Sequence, residues 1–174
     1  MNATRRQIMR MGGGLVVALS LAPVLASAAD IVDITMTGKP DGSDVWFDPI
    51  GIRVEVGQTI RWTNRDKGNS HTATAYHPAN FDRPRRIPRA AKAWDSDYLL
   101  PDQSFSIVLT VPGVYDYYCV PHEHAGMVGR IIVKEPRLHD WKGGGKADAG
   151  LPAVALAAFP SIEEIMAKGV VRRA

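Results

Sequence analysis

The chain has 174 residues and one cysteine, Cys119. An internal disulfide is therefore excluded. No apolar run is long enough for a comfortable membrane span: Gly12 to Leu25 is short, and Pro23 interrupts it. There is no internal repeat and no low-complexity tract. An overall basic excess is missing too, once the N-terminus is set aside. Thr4-Arg5-Arg6-Gln7-Ile8-Met9-Arg10 has the form of a twin-arginine n-region. Gly12 to Leu25 has that of an apolar h-region, and Ala26-Ser27-Ala28 that of a small-residue cleavage site. Residues 1–29 thus read as a signal peptide cleaved after Ala28 or Ala29. The expected compartment is the bacterial periplasm or a related exterior; a retained N-terminal anchor is the alternative. The signal carries three arginines and no acid. Of 21 basic and 18 acidic residues, the mature chain therefore keeps 18 of each sign. The sequence pI near 9.1 is partly a property of the signal. Nucleic-acid binding loses its main support.

What is present is concentrated between Gly113 and Val133, GVYDYYCVPHEHAGMVGRIIV. Cys119, His122 and Met127 put a thiol, an imidazole and a thioether within nine residues. These soft and borderline donors suit copper in both oxidation states. Cys/His/His with a weak axial Met is the ligand set of electron-transfer copper sites. One short loop does not complete that set, so a second histidine has to come from elsewhere. Ligation also explains a lone thiol in an oxidising compartment, because a coordinated thiolate is deprotonated and protected. The alternative is an inert buried cysteine that packs as a small hydrophobe.

Short period-2 runs surround this stretch. Ile31 to Thr37, Ile50 to Val56, Thr59 to Thr63 and Ser104 to Val111 alternate, separated by Gly, Pro and Asp. That pattern predicts an all-β sandwich. Val114 to Cys119 reads as a strand with Cys119 at its end, and Val128 to Lys134 as the closing strand. Pro121 stiffens the loop between them, while Gly126 and Gly129 relax its backbone.

The segment Tyr115-x-Tyr117-Tyr118-Cys119-x-Pro121-His122-x-x-Ala125-Gly126-Met127-Val128-Gly129 resembles the copper-ligand loop of the cupredoxins. The spacing C-x2-H-x4-M is similar to that of plastocyanin and pseudoazurin. Phe47-Asp48-Pro49 through Val54-x-Val56-Gly57-x-x-Ile60-x-Trp62-x-Asn64 resembles the N-terminal half of the same fold. The resemblance implies a Greek-key cupredoxin β-sandwich over about 30–136, with one type 1 copper. It implies ligation by His71, Cys119, His122 and Met127. His71 follows the Trp-x-Asn pattern as the family's first histidine does; His77 is the rival donor. The resemblance also makes His122 the partly exposed port for electrons, ringed by Pro121, Ala125 and Val128. Two positions depart from the family: Thr72 stands where Asn is usual, and Val120 where Ser or Thr is usual. His124 is a further loop histidine, read as exposed, with docking modulation or exchange with His122 as alternatives.

Two segments lie outside the family pattern. Residues 77–97 form an insertion with Arg83, Arg85, Arg86, Arg89 and Lys92. It is a solvated loop or, in the functional reading, a basic patch from Arg83 to Lys92 that docks an acidic partner. Three prolines oppose one long helix there, though Arg89 to Trp94 has room for a single turn. Residues 137–174 are a glycine-rich linker and a C-terminal extension with a short helix opened by Ser161-Ile162-Glu163-Glu164. Its apolar face, Ile162, Ile165 and Met166, packs either on the sandwich or on a partner.

The expected function is a soluble one-electron carrier between redox proteins, such as a c-type cytochrome or an oxidoreductase. The alternative is a copper-binding protein that delivers its metal. A copper enzyme is disfavoured: there are five histidines, and only His122-x-His124 forms a His-x-His pair.

Overall fold

A computed structural model describes residues 31–42, 44–134 and 148–173. The expected signal peptide and residues 135–147, which include most of the expected linker, lie outside these. Among the described residues nine strands form two sheets. In order across the first sheet lie β2 (Val45–Asp48), β1 (Ile31–Gly38), β4 (Thr59–Asn64) and β6 (Ser104–Val108). The second holds β5 (Thr74–Ala75), β7 (Gly113–Tyr118), β8 (Val128–Val133), β3 (Gly51–Val54) and β9 (Val170–Val171). The β1–β4 and β3–β8 pairs are parallel and the others antiparallel, giving the Greek-key sandwich. β2 and β5 are strands that the alternation did not reveal, because each is too short to show a period.

Alternation produces the core. Ile34 and Met36 of β1, and Ile60 and Trp62 of β4, turn inward and are buried. Trp62 is the hub. Its ring meets Tyr117 edge-on at 5.3 Å, and Phe47 meets Tyr117 at 4.7 Å. Edge contacts of this kind add to what burial alone contributes. β8 breaks the rule: all six of its residues are buried. One face of β8, with Ile131 and Val133, lies in the main core. The other, with Ile132, is covered by the C-terminal extension through Ile162, Ile165 and Val171.

That extension contains two short helices where the sequence suggested one, α1 (Ala153–Ala158) and α2 (Ile162–Lys168). The alanine-rich run is the additional helix. Ser161 caps α2 by accepting from the Glu164 amide at 3.0 Å, and Gly169 ends it at a φ of 74°. β9 then pairs with the edge of β3. The apolar face of α2 packs on the sandwich rather than awaiting a partner.

The insertion is only in part the solvated loop the composition suggested. Arg86, Ile87 and Trp94 are buried. No helical turn forms over Arg89–Trp94; the Ala91 amide donates to Pro88 O in a simple turn. Arg86 reaches Asp116 of β7, which has no exposure. Asp116 also takes Arg130 of β8, with Nε–Oδ1 at 2.7 Å and Nη2–Oδ2 at 3.0 Å. Arg130 donates its Nη1 to Pro160 O at 2.7 Å. The Phe159 ring lies 5.0 Å from both guanidinium carbons. Insertion, sheet and tail thus meet at one carboxylate.

Buried charge is tolerated only when paired, and removal of one partner is far costlier than the pair is worth. Asp116→Ala leaves two buried guanidinium groups without the anion they share. It is expected to lower stability by about 3–5 kcal/mol in chemical denaturation; a loss comparable with an ordinary surface substitution would refute this role.

Candidate metal centre

The site is built from the end of β4 onward. Asn64, fully buried, organises the loop that follows. Its Nδ2 donates to Asn69 O at 2.8 Å and Leu99 O at 2.9 Å, and its Oδ1 accepts from the Asp66 amide at 2.8 Å. Asp66 is thereby aimed inward, where it also accepts from Gly68 N and Asn69 Nδ2. His71 exchanges two backbone hydrogen bonds with Leu99, which fixes its main chain. Its Nε2 lies 3.1 Å from Asp66 Oδ2. A carboxylate accepts only, so Nε2 carries the proton and Nδ1 presents a lone pair. Burial pulls the His71 imidazolium below its ordinary value against the opposing pull of Asp66. For Asp66, burial pushes upward, but the hydrogen bonds from Asn69, Gly68 and His71 outweigh it and hold the carboxyl low.

The lone pair of His71 points at two other donors. His71 Nδ1 is 3.2 Å from His122 Nδ1 and 3.6 Å from Cys119 Sγ, and Cys119 Sγ is 3.4 Å from His122 Nδ1. A near-equilateral triangle of these edges has its centre about 2 Å from each corner, the length of a metal–imidazole bond. Among the described residues, this is the cluster able to hold a metal ion. Burial lowers the His122 imidazolium, helped by the nearby His71. Burial pushes the Cys119 thiol up to about 11, against the Thr72 amide, which donates to Sγ at 3.3 Å. Ligation therefore has to remove that proton, and affinity falls as pH falls.

Met127 is fully buried. Its amide donates to His122 O at 3.1 Å, and its carbonyl accepts from Cys119 N at 3.0 Å. These two bonds close the loop from Cys119 to Met127 on itself. His77 is not in the cluster: its Nδ1 accepts from the Ala79 amide at 3.0 Å. His124 is exposed.

Thr72 takes up the missing Asn in an unexpected way. Its Oγ1 accepts from Val120 N at 2.9 Å and lies 2.8 Å from Thr74 Oγ1. Thr74 donates to Asp95 Oδ1, so the Thr72 hydroxyl hydrogen is committed to Thr74. The chain ties the loop after His71 to the one after Cys119. Asp66 and Glu123 are site-supporting residues that the sequence reading did not single out. One expectation needs correcting: Val128 is buried against Tyr118, Leu151 and Ala155, so it does not belong to an exposed patch. Pro121 and Ala125 are exposed beside a half-buried His122.

A family model described as copper-binding proteins of the plastocyanin/azurin family matches residues 34–134. The chain belongs to the plastocyanin/azurin family of copper-binding proteins. It is 32% identical over 133 residues to chloroplastic plastocyanin of Oryza sativa subsp. indica, covering 74% of this chain and 80% of that one. It is 33% identical over 123 residues to chloroplastic plastocyanin of Chlamydomonas reinhardtii, covering 68% and 79%. A pseudoazurin structure from Sinorhizobium meliloti superposes with a TM-score of 0.58 at 29% identity, covering 79% of this chain and 94% of that one. The cupredoxin fold and copper as cofactor follow. The donor set fits that metal: two neutral imidazoles and a thiol meet at one point, with a thioether residue buried on the same closed loop.

Residues that orient a ligating imidazole typically contribute 10- to 100-fold in metal affinity. Asp66→Ala is expected to weaken copper binding by roughly that factor in chelator competition. Unchanged affinity would show that the Asn64–Asp66 loop does not set the His71 tautomer.

Proposed function

We propose that the protein is an exported one-electron carrier in which His71, Cys119, His122 and Met127 hold a single type 1 copper. The observation that carries this reading is the convergence of two imidazole Nδ1 atoms and one Sγ within 3.6 Å, with the tautomer of His71 set by Asp66. When bound, copper supplies a Cu(II)/Cu(I) couple. Everything else is the work of the chain. The rigid sandwich holds His71 from one loop and the remaining donors from another, so the donor positions change little with charge. The Thr72 amide donates to the sulfur and moderates its negative charge. His122 is half-buried and flanked by exposed Pro121 and Ala125, which suits a small, transient contact.

The twin-arginine-type N-terminus supports export to the periplasm. No helix among the described residues is long and apolar enough to cross a membrane. Partners would be redox proteins such as a c-type cytochrome or an oxidoreductase. Of the Arg83–Lys92 cations, Arg85, Arg89 and Lys92 are exposed and form the part available to an acidic partner. An enzymatic role finds no support in the second His-x-His histidine, since His124 is turned to solvent. Copper delivery is the alternative function.

Copper titration of the mature protein tests the reading. An intense thiolate-to-copper band is expected at one copper per chain, bleached by a reductant and restored by an oxidant. Cys119→Ser should abolish it. Weakly coloured copper that a chelator strips readily would favour delivery instead.

A further inference from the structure

Between Cys119 and Met127 one side chain, that of Glu123, is fully buried, while Val120 packs half-buried against the Tyr76 and Tyr118 cluster. Pro121, His124 and Ala125 are exposed, and His122 and Gly126 are half-buried, but Glu123 is 0% exposed. A carboxylate taken fully out of water is costly unless both oxygens are met. Here both are. The Tyr76 hydroxyl donates to Oε1 at 2.9 Å, and Arg83 pairs with Oε2. Tyr76 directly follows β5, is fully buried, and stacks on Tyr118 at 4.3 Å. Burial and the adjacent Glu123 hold its phenol far above the ordinary value, so it remains a donor. Arg83 comes from the insertion. Its guanidinium sits over the Tyr118 ring and also donates to Gly150 O in the extension.

The turn needs such support. Hydrogen bonds of 3-10 type are poorly aligned, and His122, at a φ of −119°, interrupts the helical geometry of Val120–Ala125. α1 also closes on Gly126, where an added Cβ would come 3.2 Å from Val154.

We infer that Glu123 is a positioning residue: its contacts with Tyr76 and Arg83 fix the ligand-bearing turn before metal arrives. The copper consequence rests on His122 and Met127 being ligands, as proposed above. The turn itself is read without metal, which separates the two ideas.

The experiment is amide hydrogen exchange on the metal-free protein. The reporters are Gly126 N, bonded to Glu123 O, and Met127 N, bonded to His122 O. In Glu123→Gln and Arg83→Met these amides are expected to exchange at least about tenfold faster, while the β1–β4 ladder stays within about twofold of wild type. Tyr76→Phe keeps the ring stack and removes only the hydroxyl. It should accelerate the same amides by a smaller factor, and it decides the matter if Glu123→Gln does not fold. After copper loading, Arg83→Met should also shift the reduction potential and broaden the thiolate-to-copper band. Unchanged exchange at Gly126 and Met127, or an equal rise throughout the molecule, overturns the inference. A wild-type protein without the band, but with local acceleration in the variants, overturns the ligand assignment and leaves the clamp standing.

Discussion

Three electron-rich atoms within 3.6 Å of one another are held together only in part by hydrogen bonds in the absence of a cation. His71 Nδ1 carries no hydrogen, so the Cys119 thiol and His122 Nδ1 supply at most two hydrogens for three close contacts. The surrounding protein must impose the arrangement. It does so from two directions. On the His71 side, Asn64 organises a loop that aims Asp66 at Nε2, and the backbone exchange with Leu99 fixes the residue itself. On the Cys119 side, the turn is closed by its own carbonyls and held by Glu123 beneath. Thr72 joins the two sides through the Val120 amide.

This arrangement accounts for the unusual number of buried charges around β7 and β8. Asp116, Arg86, Arg130 and Glu123 would each be costly alone. Their contribution to net stability is small or uncertain in sign relative to apolar replacements, whereas their contribution to a unique arrangement is directional. Apolar contacts tolerate sliding; a guanidinium shared between a carboxylate, a carbonyl and an aromatic face does not. The insertion and the extension each reach β7 or β8 through such contacts. Both segments therefore act on the strand pair that carries Cys119 and Met127 at its ends.

The sandwich and the donor motif were legible because each obeys a local rule. Alternation along Ile31–Thr37 and Thr59–Thr63 reports a half-buried strand, and C-x2-H-x4-M lies within one turn of chain. β2 and β5, at four and two residues, fall below the length at which a period shows. Asp66 and Glu123 were not legible for a different reason. An Asp in a polar loop and a Glu beside two histidines look solvated until their distant partners are known. Glu123 needs Tyr76 and Arg83, more than 35 residues away, to make its burial tolerable. The same holds for the insertion. A stretch with five cations reads as surface, and only Asp116 and Glu123 reveal which two arginines face inward.

That division of the arginines bears on how the molecule meets others. Residues 30–174 have equal numbers of acidic and basic residues, so they carry no net charge to draw a partner from afar. Arg83 is paired internally with Glu123, and Arg86 with Asp148 and with the Asp116 it shares with Arg130. The exposed cations of the insertion are Arg85, Arg89 and Lys92, beside exposed Asp82 and Asp97, a local feature whose reach at physiological ionic strength is about 8 Å. Charges of that reach orient a partner already close to contact. With Val128 buried beneath α1, the apolar surface beside His122 is made by Pro121 and Ala125, with exposed Val154 of α1 against Gly126. A surface this small gives little residence time, which is what a carrier that must leave each partner after one electron requires.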